Sequence, residues 1–258
     1  MVNLSIIGKI FFGIAIIVMG LLTIYYVDFP YMLIPPDHAW IPGIFFFTYF
    51  FGTALFLVGI CIVFNIKTKL ISFLLGVLLL LVFCFYFIPY EFMVSENYMH
   101  FGDWENAFKE LALCSGAFVI AGNSGDENQT RPNIISRQLI SLGTVLFAIT
   151  ITSFGVNHFL FATEASGYIP SWIPYHLFWM YFTGTALLFS GIAIIFKIKL
   201  KFVSTLLGLM IFTWFIILHI PRIIASPAID LASEITSAFI AFAYSGIANA
   251  IAGSEKKE

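Results

Sequence analysis

Apolar residues in this chain come in long runs separated by short polar clusters, and the runs predict helices that cross a lipid bilayer. Stretches at 4–26, 43–64, 69–89, 105–122, 136–161, 175–196, 201–220 and 228–251 each approach the roughly 20 apolar residues a spanning helix needs. Lipid offers backbone amides no partners, so helices rather than open strands must carry such runs. The fourth run is the least apolar, opening with Glu105, Lys109 and Glu110, while the eighth carries Asp230 and Glu234. The expected fold is all-α: a polytopic membrane protein of eight transmembrane helices.

The pattern repeats. Trp40-Ile-Pro-Gly-Ile-Phe-Phe-Phe-Thr-Tyr49-Phe-Phe-Gly52-Thr-Ala-Leu55 returns as Trp172-Ile-Pro-Tyr-His-Leu-Phe-Trp-Met-Tyr181-Phe-Thr-Gly184-Thr-Ala-Leu187, at an offset of 132. Without a gap the register runs from Trp40–Pro89 against Trp172–Pro221, with 24 identical pairs in 50 positions. Gly8, Phe12 and Gly20 likewise match Gly143, Phe147 and Gly155 at offset 135. Self-similarity of this kind marks an internal duplication. Four helices per copy bring both copies in from the same side, so the expected arrangement is two parallel-related four-helix bundles. The first repeat covers 1–122, a polar linker 123–135, the second repeat 136–254, and a charged tail 255–258.

Composition agrees with a membrane protein: 60% of residues are hydrophobic, 10% are charged and the mean hydropathy is +0.99. Soluble domains carry roughly 25% charged residues. Charge also assigns the sides. With eight spans, ten of twelve basic residues fall on one side, and only Lys109 and Arg222 on the other, which places both termini in the cytoplasm. By the same sorting ten of fourteen acids and all five histidines lie at the outer face. The first run lacks a small-residue cleavage site and is read as a true helix rather than a signal peptide. Cys61, Cys84 and Cys114 lie inside apolar runs without a Cys-x-x-Cys pair, as core residues do. Asn128-Gln-Thr130 fits a glycosylation sequon, but on the cytoplasmic side it would go unused. Pro42 is expected in the first turn of the second helix. The lysine-bearing turns at 65–69 and 197–201 read as topological anchors.

Differences between the copies point to chemistry. His176 replaces Ile44, Trp179 replaces Phe47, Thr183 replaces Phe51, His219 replaces Phe87 and Arg222 replaces Tyr90, and Asn157 and His158 stand where the first copy has Leu22 and Thr23. These positions gather at the outer end of the second copy, with Asp230 and Glu234. Ionisable groups among membrane helices pair, line a cavity or do work, and Arg222 is expected to pair with Glu234 or Asp230. Three readings stand side by side: helix-end residues at the headgroup boundary tied by an ion pair; a pocket for a small organic molecule, such as a quinone between Trp172, Trp179 and Tyr181; and haem held by two of His158, His176 and His219, although spacing alone does not show that they face one another. Candidate pocket residues are Asn157, His158, His176, Trp179, Tyr181, Thr183, His219, Arg222 and Glu234. No histidines at i, i+4 and no cysteine beside them speak for zinc. No residue set names a reaction.

Gly155-Val-Asn157-His158-Phe159, then Pro170-x-Trp172-Ile-Pro174-x-His176-x-Phe178-Trp179-x-Tyr181-Phe182-Thr-Gly184, and Leu218-His219-Ile-Pro221-Arg222 resemble the DoxX family of four-helix bacterial membrane proteins. The first half looks like a divergent unit that keeps Trp40-Ile-Pro42, Tyr49-Phe50 and Gly52. The resemblance implies the bacterial inner membrane and, from DoxX-like and DoxD-like members, association with membrane oxidoreductase complexes, including thiosulfate:quinone oxidoreduction. It carries over no catalytic residues. The chain has no Gly-rich nucleotide loop, no iron-sulfur pattern and no soluble domain for a flavin, so electrons would need a partner or a bound quinone. The partners expected are the bilayer and a membrane or periplasmic redox protein, not nucleic acid. A non-catalytic scaffold or assembly factor is the alternative function, and a small-molecule transporter is a third.

Overall fold

A computed structural model describes residues 3–35, 43–95, 100–101, 104–124 and 133–255. Among them are eight long helices: α1 Leu4–Tyr26, α2 Ile44–Val63, α3 Thr68–Met93, α4 Glu105–Asn123, α5 Ile134–Leu160, α6 His176–Ile195, α7 Leu200–Ala225 and α8 Leu231–Ser254. Seven of these are long and apolar enough to cross a membrane. The eighth, α4, is long enough but has Glu105, Lys109 and Glu110 in its first two turns. A short helix, Ala162–Ser166, follows α5.

Local chemistry sets the ends. Asn3 accepts the Ser5 amide at 3.1 Å to cap α1, and Asn133 accepts the Ser136 amide at 2.8 Å to cap α5, each satisfying a donor the first turn leaves open. The α2–α3 and α6–α7 turns repeat at the sequence offset: Asn65 and Lys67 have φ of 60° and 45°, and Lys197 and Lys199 have 55° and 45°. The matching bonds, Ile66 N–H to Cys61 C=O and Ile198 N–H to Ala193 C=O, are both 2.8 Å. The linker residues 125–132, with the sequon, and the Trp40-Ile-Pro42 copy of the repeated motif lie outside the described residues. In the second copy Pro174 precedes the N-cap residue Tyr175, whose φ is 58°, so that proline stands before α6 rather than in its first turn.

Two helices run further than expected from sequence. Pro89 and Pro221 mark helix ends by the usual rule, because proline lacks the N–H and crowds the carbonyl four residues back. Here α3 and α7 absorb the prolines by widening into π turns at Phe83–Phe87 and Phe215–His219, with Ile88 N–H reaching Phe83 C=O and Ile220 N–H reaching Phe215 C=O. The extra residue in each turn makes room for the ring. The helices then continue to Met93 and Ala225. In contrast α8 starts at Leu231 rather than 228, because 227–230 form a turn closed by Asp230 N–H on Pro227 C=O at 3.0 Å.

Packing is not confined within each half. Helix α1 packs on α2 and on α8; α4 packs on α3 and on α5; α5 packs on α6, and α8 on α7 and α4. The first helix of each half therefore lies against the last helix of the other. Glycines allow it, since close backbone approach is the main source of attraction between helices in lipid. A Cβ added at Gly8 would lie 2.5 Å from the Ala250 nitrogen of α8, and one at Gly143 would lie 2.5 Å from the Ser115 oxygen of α4. The same device joins first to second helices: a Cβ at Gly20 would meet Phe56 N at 2.5 Å, and one at Gly155 would meet Leu188 N at 2.6 Å. The main hydrophobic core joins the halves: Phe12, Leu113, Phe147 and Ile247 of α1, α4, α5 and α8 share a cluster, and a smaller cluster of Ala162, Ile169, Ile173 and Met180 packs against Trp179 and Trp214. Helices α2, α3, α6 and α7 flank the main core and turn large apolar side chains outward, among them Phe46, Phe85, Phe189 and Phe202.

Candidate functional site

One end of the bundle carries Lys9 and the lysine turns, and the other carries the histidines. At the lysine end Lys9 Nζ donates to Asn65 Oδ1 at 3.0 Å and Lys69 Nζ to Ser136 Oγ at 3.2 Å. These contacts tie turns to helix ends.

The histidine end is different. Arg222 in the last turn of α7 makes a two-pronged ion pair with Glu234 in the first turn of α8: Nε donates to Oε2 at 2.8 Å, and Nη2 donates to Oε1. The planar guanidinium suits this geometry, and a carboxylate near a helix N-terminus also complements the helix dipole. The guanidinium carbon lies 4.4 Å from the centre of the Tyr168 ring, so the cation is flanked by a π face as well. Of the two acids the sequence offered Arg222, Glu234 is the partner; Asp230 is exposed at the N-cap of α8.

Around this pair other polar groups gather. His219, at the end of the α7 π turn, is half-buried, with a buried Nδ1 that has no protein partner, and Arg222, Glu234 and Lys109 lie within electrostatic reach. Lys109 pairs with Glu105 one turn back on α4, at 2.6 Å. Glu105 in turn is within reach of His158 and of Tyr244. His158 Nδ1 donates to the Phe154 carbonyl at 2.8 Å, which leaves Nε2 as the free ring nitrogen. The Tyr244 hydroxyl is buried without a partner, and its ring packs on Phe147 and Phe154. Asn157 is 8% exposed and has a buried, unpartnered Oδ1. It lies two turns along α5 from Thr150, whose hydroxyl donates to the Phe108 carbonyl of α4, so Asn157 shares the stripe of α5 that faces α4.

Other sequence candidates lie apart. His176, half-buried at the first position of α6, makes no hydrogen bond or ion pair to the cluster. The buried Thr183 hydroxyl donates to the Trp179 carbonyl of its own helix at 2.7 Å. Tyr181 is 47% exposed, and its ring packs on Phe159. Trp179 belongs to a second feature, a groove of about 520 Å³ between α6 and α7, lined by Trp172, Pro174, Trp179, Leu209, Thr213 and Trp214. Its walls are apolar, and Trp179 stands edge-on to Trp214 with ring centres 5.8 Å apart, its Nε1 donating to Pro174 C=O at 3.1 Å. Of the aromatic wall expected from sequence, Trp172 and Trp179 line the groove and Tyr181 does not.

Of the sequence candidates, His158, His219, Arg222 and Glu234 meet in a polar cluster of α4, α5, α7 and α8, Trp179 lines an aromatic groove, and His176, Tyr181 and Thr183 stand in neither. Sequence reading missed Glu105, Lys109 and Tyr244 in the first, and Trp214 in the second. The signal for the α4 residues was visible as the charges that spoil its hydropathy. Among the described residues no three His, Cys, Asp or Glu side chains are placed to hold a metal ion. No family model matches the chain, and no curated protein or solved structure matches it.

Proposed function

We propose that the chain is a DoxX-like membrane subunit or accessory of a quinone-linked redox system. In this reading it is a tandem duplication whose eight helices all cross the bacterial inner membrane as two parallel-related four-helix repeats, with both termini in the cytoplasm. Helix α4 crosses with Glu105 and Lys109 at the outer boundary, where they satisfy each other. An amphipathic small molecule binds at the outer end of the second repeat. The observation that carries this is the tryptophan-walled groove, whose α7 wall, Trp214 and Ile217, belongs to the helix that bears His219 and Arg222 of the polar cluster. A flat ring or isoprenoid tail suits the groove, since apolar pockets with a few polar groups at one end are the usual form of small-molecule sites. His158 Nε2 and His219 Nδ1 are ring nitrogens able to exchange protons beside carboxylates, which quinone reduction and reoxidation require.

The test is lipid extraction and mass spectrometry of gently solubilised protein. The wild type retains a quinone or similar amphipath, and Trp179→Ala with Trp214→Ala loses it. If those variants, and His219→Ala, leave ligand content and the host's respiratory redox behaviour unchanged, the reading fails. A stable partner in pull-downs that ignores all these substitutions favours a scaffold, and flux in proteoliposomes favours a transporter.

A further inference from the structure

The first half contributes Glu105 and Lys109 of α4 to the outer cluster, and it also buries an acid that the proposed ligand site does not use. Glu110 on α4 is 0% exposed, and both of its carboxyl oxygens lack any hydrogen-bond or ionic partner. Its place is set by the stripe it shares with Cys114, one turn further along. The Cys114 thiol donates to the Gly76 carbonyl of α3 at 3.3 Å, and Phe118, a further turn on, fills the space over Gly76. Glu110 therefore faces α3 at the level toward its π turn, where Cys84 lies within electrostatic reach of Cys114. That turn is followed by Pro89, whose missing N–H leaves a carbonyl of the turn without its helical donor.

The second half shows what the same place looks like without an acid. There Ser245 Oγ donates to the Gly208 carbonyl at 2.8 Å, so Ser245 stands for Cys114 and Gly208 for Gly76. The residue one turn before Ser245 is Ala241. The fold thus needs no carboxyl at this position. An ionised carboxylate with neither counter-ion nor donor, buried among membrane helices, costs several kcal/mol. A neutral carboxylic acid avoids that cost, and its O–H can donate to water or to the carbonyl the π turn leaves open.

We propose that Glu110 is a proton-binding site in the interior of the first half, its buried carboxyl group held neutral by a bound proton. The ligand is a proton, and the site stands independently of the groove in the second half.

Dicyclohexylcarbodiimide tests this directly. It partitions into bilayers and reacts with a protonated carboxyl group: the acid adds across one C=N bond, and the adduct rearranges to a stable N-acylurea. In membranes at neutral pH the adduct is expected on the peptide containing Glu110 and absent in Glu110→Gln, while Glu105 and Glu234 stay unmodified. Glu110→Gln, which swaps a neutral acid for its amide, is expected to keep the yield, monodispersity and thermal midpoint of the wild type. Absence of adduct at Glu110, or adduct only after unfolding, overturns the proposal. So does suppression of labelling by added sodium ions, which would make the occupant a metal cation. Loss of the folded protein in Glu110→Gln overturns it as well, because the carboxylate would then be a structural partner.

Discussion

The two halves share the lengths of their two middle helices, their turns and their π segments at fixed offsets, and differ in how their acidic groups are buried. The second half collects them at the bundle's end, where Arg222 and Glu234 neutralise each other at side-chain exposures of 23% and 17%. The first half places Glu110 at 0% exposure. In the second half Trp179 and Trp214 wall a groove, where the first half has Phe47 and Val82 at the same offset. One backbone can therefore carry an ion-paired acid and, in its other copy, a buried acid without a counter-ion. What differs is the environment that relieves the cost of burial: ion pairing in one case and, by the proposal above, neutralisation in the other.

Substitutions at matched positions can break or sharpen this contrast. The largest effect is expected where the halves are alike. Gly155→Leu and Gly20→Leu both drive a side chain into a helix backbone, and each should cost about 3 kcal/mol or more, read as loss of monodisperse protein. If one is tolerated and the other is not, the shared-scaffold account is wrong. Next, Arg222→Ala strands Glu234 and should destabilise by about 2 kcal/mol, with Arg222→Ala/Glu234→Ala more stable than the single variant. Thermal unfolding in lipid nanodiscs checks this. Smallest is the exchange at the interhelical bonds: Ser245→Ala and Cys114→Ala should each cost about 0.6 kcal/mol. A larger loss for Cys114→Ala would indicate that the thiol does more than bond to Gly76.

Much of the fold was legible because lipid simplifies the code. Apolar runs gave eight helices within a few residues, and the offset of 132 foretold the paired turns. Their ends were misjudged at Pro89 and Pro221 because a π turn, decided by how one helix packs on its neighbours, lets a helix pass through proline. The exchange of first and last helices between halves was not legible: Gly8 and Gly143 announce a close contact but not its partner. At the site, the Arg222–Glu234 pair followed from opposite charges at adjoining helix ends. His176 and Thr183 were misleading because polarity shows in sequence while direction does not, and Thr183 spends its hydroxyl on its own helix. Glu110 was passed over as a blemish in a weak helix.

On this reading an amphipathic, quinone-like ligand sits in the groove between α6 and α7 of the second half and not at the matching face of α2 and α3. Photo-crosslinking with an azido-quinone in native membranes, followed by peptide mapping, tests it most directly. The account predicts label on α6 and α7 around Trp179 and Trp214, lost in Trp179→Ala/Trp214→Ala, with α2 and α3 unlabelled. Equal labelling of α2 and α3, or labelling that survives loss of both tryptophans, would contradict it.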